Sequence, residues 1–169
     1  MPPLEAVGIE RKLNNSEIIS RMCREPGKVL GSSEKEIMDT IQVKTKNLKD
    51  IVNLTPKLNR IIQNADFQNG LCHVFLPHTT AALTTGEIGE GTEEDLLEVA
   101  EKIIPQINFR HAHDPSHAWS HMAGSLIGAS LTLPVMDGEL RLGTWQSVLL
   151  VELDGPRERQ IVVSLAPTS

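Results

Sequence analysis

The sequence has no tyrosine, and only three phenylalanines and two tryptophans among its 169 residues. The core must therefore be built from Leu, Ile, Val and Ala. A surface that stacks nucleobases on aromatic rings is also excluded. Positive charge is in deficit: 16 Lys and Arg stand against 22 Asp and Glu, a formal net charge of −6. Displacing counterions from a phosphate backbone needs the opposite balance, so nucleic acid is not expected as a partner. No apolar run approaches the roughly 18 residues of a membrane span. No basic start followed by an apolar stretch opens the chain. A cytoplasmic protein with no membrane partner is expected. Cys23 and Cys72 show no CxxC spacing and read as two reduced thiols.

What is present is ordinary for a soluble domain: 40% hydrophobic and 22% charged residues, enough for one sizeable core. Residues 1–36 are polar and punctuated by Pro and Gly. They read as an extension, with "SEIISRMC" as two helical turns capped by Ser16. A domain spans 37–169. "IMDTIQVKT", "GLCHVFLP", "AALTTGE", "SLTLPV", "WQSVLLVELDG" and "RERQIVVSL" read as strands. "IVNLTPKLNRIIQNA" reads as a short strand and then a helix, with Thr55 as N-cap and Pro56 at its first position. "TEEDLLEVAEKII" is an amphipathic helix with Leu96, Leu97, Val99, Ala100, Ile103 and Ile104 on one face; Thr92 and Asp95 form a capping box. "WSHMAGSLIGA" is helical and rich in small residues. Asp137-Gly138 is a two-residue hairpin turn. Strands outnumber helices and the late ones run hairpin to hairpin. The expectation is α+β: a mostly antiparallel sandwich flanked by two or three helices.

Of the six histidines, four crowd into "HAHDPSHAWSH". His117 and His121, four apart, share a helix face, a spacing common in paired metal ligands. His111 and His113, two apart, suit an extended pair. His78 continues the apolar face of Cys72, Val74 and Leu76 to the end of its strand, where it either caps a backbone group or enters a pocket. His73 stands alone and reads as structural. In "GEIGEGTEEDL" the carboxylates would repel phosphate, and acidic residues suit a first helical turn anyway; Glu87 or Asp95 remains available as a metal ligand or acid–base group. Gln146 could hold a polar ligand through its amide. Arg157 and Arg159 are expected on a solvated edge, or paired with Glu158 or Glu152.

"HTTAALTTGE", a following Asp, "SHMAGSLIGASLTLPV" and "DGELRLGTWQSVLLVELDGPRERQIVV" together resemble the YjbQ family, also called secondary thiamine-phosphate synthase. The resemblance runs from about Ile37 to Leu165 and leaves residues 1–36 unexplained. It implies an α/β sandwich and a homotrimer. It also implies a weak thiamine-phosphate synthase activity that joins thiazole phosphate to pyrimidine pyrophosphate. The family pattern falls on His78, Thr79, Glu87, Asp95, His111, His121, Gly143, Thr144, Trp145 and Gln146. His78, His111 and His121 are the implied metal ligands, for a zinc- or magnesium-like ion. Glu87, Asp95 and Gln146 are the implied catalytic set, and a small phosphorylated molecule is the implied ligand. The alternative is a metal- or ligand-binding trimer without turnover. Two departures stand out. Gly86 replaces the usual Asn before the glutamate, and "DPSHAW" replaces a loop that carries Asp, Gly and Asn.

Overall fold

A computed structural model describes residues 36–105, 107–111 and 115–168. The expected N-terminal extension, its short helix and Cys23 lie outside these residues, apart from Glu36. Within the described residues, eight strands form two antiparallel sheets. They are β1 (Ile37–Lys44), β2 (Asp50–Asn53), β3 (Gly70–Phe75), β4 (Ala81–Gly86), β5 (Ser130–Met136), β6 (Glu139–Leu140), β7 (Ser147–Glu152) and β8 (Glu158–Ala166). The first sheet runs β1-β8-β3-β5-β6 and the second β2-β7-β4. Among the described residues, three helices join them: α1 (Thr55–Asn64), α2 (Thr92–Ile103) and α3 (Ala118–Ile127). The expected α+β class is the observed one. Among the described residues no helix is long and apolar enough to cross a membrane.

Period-two burial builds the main core. Cys72 and Val74 of β3, Ile161 and Val163 of β8, and Leu83 and Leu150 of the second sheet meet between the sheets, with Leu58 and Ile62 of α1 closing one side. Burial pushes the Cys72 thiol up to about 11, which leaves it protonated and inert. The opposite face of the second sheet buries Ala82, Val151 and Leu153 against Ala100 of α2 and Trp119 and Ala123 of α3. β7 is thus covered on both faces, which explains the unbroken apolar run "VLLV" at its centre. At the hairpin after β5, both Asp137 (φ 54°) and Gly138 (φ 78°) take the left-handed conformation, as a type I′ turn demands.

The two expected helix caps within the described residues are displaced by one residue. Leu54 is the N-cap of α1, and Thr55 and Pro56 are its first two residues. The Asn53 carboxamide accepts the Thr55 N–H at 2.9 Å. This frees the Thr55 hydroxyl to accept the Val148 N–H of β7 at 2.8 Å. Gly91, left-handed at φ 90°, is the N-cap of α2. Thr92 donates to the Gly89 carbonyl at 2.8 Å, and Glu93 accepts the Gly89 N–H at 2.9 Å. A glycine supplies the turn that a threonine cap would have made, so the capping box does not form. The expected apolar face of α2 is also only partly used: Val99 and Ile103 remain exposed.

Candidate functional site

Three imidazoles converge beside the first turn of α3. His117 precedes the helix, His121 follows one turn later, and His111 reaches them from the incoming loop. One nitrogen from each ring lies within 4.8 Å of the other two. Ring centroids are 5.1 Å apart for His111–His117, 5.0 Å for His111–His121 and 5.2 Å for His117–His121. The start of α3 is pinned by its neighbours. The Trp119 indole donates to the Ile104 carbonyl at 2.8 Å, and the Lys49 ammonium stands 4.5 Å above the indole ring.

His121 is biased toward its neutral form. Burial, and then the neighbouring His111 and His117, hold His121 below the ordinary histidine value against an opposing pull from Asp154. The Nδ1 of His117 faces the Asp154 carboxylate at 3.6 Å. Its Nε2 is buried and has no hydrogen-bond partner. A buried imidazole nitrogen normally finds a partner, so this orphan, on a ring flanked by two other imidazoles, is the distinctive feature of the site among the described residues. Three neutral imidazoles in this arrangement present lone pairs of the kind that bind zinc-like ions.

His78 stands apart from this group. β3 ends at Phe75, opposite Val162 of β8. Beyond that point the His78 Nε2 accepts the Gln160 N–H at 2.9 Å, doing the work of a missing strand carbonyl. The trio implied by the resemblance was His78, His111 and His121. Among the described residues, His117 takes the third place. His113 lies outside the described residues. His73 bonds Thr132 across the β3–β5 ladder at 3.0 Å.

Accepting an amide N–H requires the neutral ring. Burial, and then the Arg159 guanidinium, hold His78 below its ordinary value of 6.5. Between that lowered value and 6.5 the unfolded chain binds more protons than the folded one. The contribution to stability is complete above about pH 6.5 and is lost as pH falls below it. Urea midpoints across this range will decline less steeply in His78→Gln, whose amide oxygen can accept the same N–H, than in the wild type. Equal slopes would show that His78 does not carry the effect.

Glu87, Asp95 and Gln146 gather at the other end of the second sheet. Ala81 pairs with Glu152 at one end and Gly86 with Ser147 at the other, a separation of about 17 Å for this length of strand. Glu87 and Asp95 line an open cavity of about 340 Å³ with Thr84, Thr85 and Thr92. The Gln146 carbonyl oxygen accepts the Gly143 N–H at 3.0 Å, and its amide reaches Thr85 at 3.5 Å. It folds its own loop and leaves Trp145 exposed. The chain therefore separates the acidic and amide residues from the histidines.

Of the placements expected for Arg159, the pairing with Glu152 is the observed one, and the solvated edge is not. Arg159 is buried and clamps Glu152 through Nε at 2.7 Å and through Nη2. Burial alone would raise the Glu152 carboxyl; Arg159, the Asp154 amide and Thr45 together outweigh it and hold the group below its ordinary value. Sequence reasoning passed over Asp154, which lies between this buried pair and His117. The only signal was the turn "LDGPR", which reads as a connection between strands.

The family model described as UPF0047 protein YjbQ-like matches residues 39–168. A UPF0047 protein from Archaeoglobus fulgidus is 39% identical over 124 residues, covering 73% of this chain and 96% of that protein. A UPF0047 protein from Mycobacterium tuberculosis is 38% identical over 123 residues, covering 70% and 90%. Among solved structures, a YbjQ-like protein of unknown function from Sulfolobus solfataricus matches with a TM-score of 0.74 at 34% identity, covering 79% of this chain and 99% of that one. A hypothetical protein from Aeropyrum pernix matches with a TM-score of 0.73 at 33% identity, covering 78% and 99%.

Proposed function

The chain belongs to the YjbQ-like UPF0047 family, and from that premise we propose that it is a divalent-metal protein whose ion is held by His111, His117 and His121. The observation that carries this reading is the buried, unpartnered Nε2 of His117 beside two converging imidazoles. Three histidines and an open fourth position are the usual donor set of a reactive zinc-like site. An ion there would supply a Lewis acid to an anionic oxygen, which suits the small phosphorylated ligand expected from the resemblance. The net charge of −6 adds weight, since an anion approaching this chain needs a local positive centre.

The transfer that the resemblance implies, joining thiazole phosphate to pyrimidine pyrophosphate, asks more. Glu87, Asp95 and Gln146 lie too far along the sheet to touch a ligand held at the histidines of the same chain. A second copy, as in the expected homotrimer, would have to bring them in. Met38, Leu71, Phe75 and Met136, left exposed on the first sheet, are consistent with such self-association. Metal and ligand binding is accordingly the reading placed first, and transfer second.

Elemental analysis of chelator-free, tag-free protein tests the metal. About one divalent ion per chain is expected in the wild type and in His78→Ala, and a loss of most of it in His117→Ala and His121→Ala. Equal metal content in the wild type and His117→Ala, or none in either, would overturn the assignment.

A further inference from the structure

We propose that Asp154 is a positioning residue for the histidine cluster: its carboxylate fixes His117 as the Nδ1–H tautomer and so aims the Nε2 lone pair at the ligand position. The inference rests on the metal reading for its purpose, but its geometry stands by itself. An imidazole has one donor and one acceptor nitrogen when neutral, and the partner of one nitrogen sets the role of the other. Here Nδ1 faces the Asp154 Oδ2 at 3.6 Å, and Nε2 is the buried nitrogen with no partner. A carboxylate can only accept. A proton on Nδ1 would therefore be stabilised, and a proton on Nε2 would be buried without an acceptor.

Asp154 is itself held by three contacts, one to its carboxylate and two to its backbone. The Arg157 Nη2 donates to the same Oδ2 at 2.6 Å, and the Arg157 Nε donates to the Asp154 carbonyl at 2.6 Å. The Asp154 N–H donates to the Glu152 Oε1 at 2.9 Å. Glu152, fully buried, is fixed in turn by Arg159 and by the Thr45 hydroxyl at 3.1 Å. Arg159 also reaches the Thr80 hydroxyl at 2.9 Å. A buried ion pair at the end of β7 thus anchors the backbone of a short turn, and that turn presents one half-buried carboxylate to one imidazole. The 3.6 Å gap is wider than a hydrogen bond. Across it the interaction is electrostatic, with the same oxygen bonded to Arg157. Outer carboxylates of this type orient ligating histidines in metal sites, and their removal costs about 10–100-fold in metal affinity.

The experiment reads tautomer and metal separately. Histidine ring ¹⁵N shifts are recorded on the metal-free protein at about pH 8, above the ordinary histidine range, and zinc affinity is measured by competition with a chromophoric chelator. Near-UV circular dichroism confirms that each variant is folded. His117 is expected as the Nδ1–H tautomer in the wild type and in Asp154→Glu, and as a mixture with Nε2–H in Asp154→Ala. Zinc affinity is expected to fall about 10–100-fold in Asp154→Ala at unchanged stoichiometry, and to be largely restored in Asp154→Glu. An unchanged His117 tautomer in folded Asp154→Ala would overturn the role of Asp154, whatever zinc does. A tautomer that shifts while the wild type binds no zinc would uphold the positioning and overturn the metal reading alone.

Discussion

Arg159→Met is expected to lower unfolding free energy by about 3–5 kcal/mol at pH 7, the loss typical of a buried ion pair stripped of one partner. Glu152 is fully buried and Arg159 nearly so. Methionine matches much of the arginine's volume, so the loss is electrostatic. The remaining carboxylate would keep the Leu153 and Asp154 amides at 3.0 and 2.9 Å and the Thr45 hydroxyl, but no positive charge. The pH dependence separates this account from simple loss of packing. In the wild type the folded Glu152 carboxyl sits below its ordinary value. Its contribution is present above the unfolded value and disappears as pH falls through the folded one. Without Arg159, burial, the largest single influence on this carboxyl, is left opposed by the Asp154 amide and the Thr45 hydroxyl, and the folded value is expected to rise above the unfolded one. The variant then gains stability as pH falls through that raised value, because the buried group is neutralised. Urea unfolding from pH 7 to pH 5 is expected to show the wild type level or falling and Arg159→Met recovering. The double variant Arg159→Met/Glu152→Leu is expected to restore most of the loss, since an apolar pair of similar volume is often at least as stable. A single variant within about 1 kcal/mol of the wild type would remove the pair from the supports of the fold.

The buried pair also shows where sequence reasoning stopped. Strand positions were legible because alternation along "GLCHVF" and "RQIVVSL" maps directly onto one buried face. The hairpin at Asp137-Gly138 was legible because few residue pairs tolerate two left-handed conformations in succession. Arg159 was legible only in part: Glu152 was one of the partners expected for it, but a charged residue on a strand reads as solvent-facing, and no local pattern showed that the pair is buried. The cap shifts at Thr55 and Thr92 have a similar origin: a hydroxyl is interchangeable with a neighbouring carboxamide or a left-handed glycine, and tertiary contacts chose between them. At the site, the four-residue spacing of His117 and His121 correctly placed both rings on one helical turn. For His78 the strand pattern left a backbone cap or a pocket open, and the ring takes the cap, accepting the Gln160 N–H where the strand ladder ends. The separation of Glu87 and Gln146 from the histidines follows from the antiparallel register of β4 and β7, which no local pattern specifies.

The small residues of α3 carry the second large effect. Gly124 packs on the segment leading into β4: a Cβ built there would stand 2.9 Å from the Thr79 carbonyl oxygen and 3.1 Å from that of Ala81. Both are backbone atoms and cannot rotate away. Two terms of opposite sign decide the outcome of Gly124→Leu. Helix propensity favours leucine over glycine by somewhat under about 1 kcal/mol. Overpacking against fixed backbone costs about 1–3 kcal/mol, and a branched side chain at such a contact belongs at the upper end. The net expectation is a loss of about 2 kcal/mol in urea unfolding. Ser125→Leu, on the exposed side of the same helix, is expected to stay within about 0.5 kcal/mol. The contact also reaches the site. His117 and His121 travel with α3, whereas His111 belongs to the loop before it. A helix lifted off β4 carries two imidazoles away from the third. Zinc affinity in folded Gly124→Leu is therefore expected to fall about tenfold or more, a loss on the scale of a disturbed ligand set, while Ser125→Leu retains it. If Gly124→Leu proves as stable as the wild type and binds zinc as tightly, α3 is not held against β4 by this contact. The absence of a side chain at position 124 would then have no part in bringing the three histidines together.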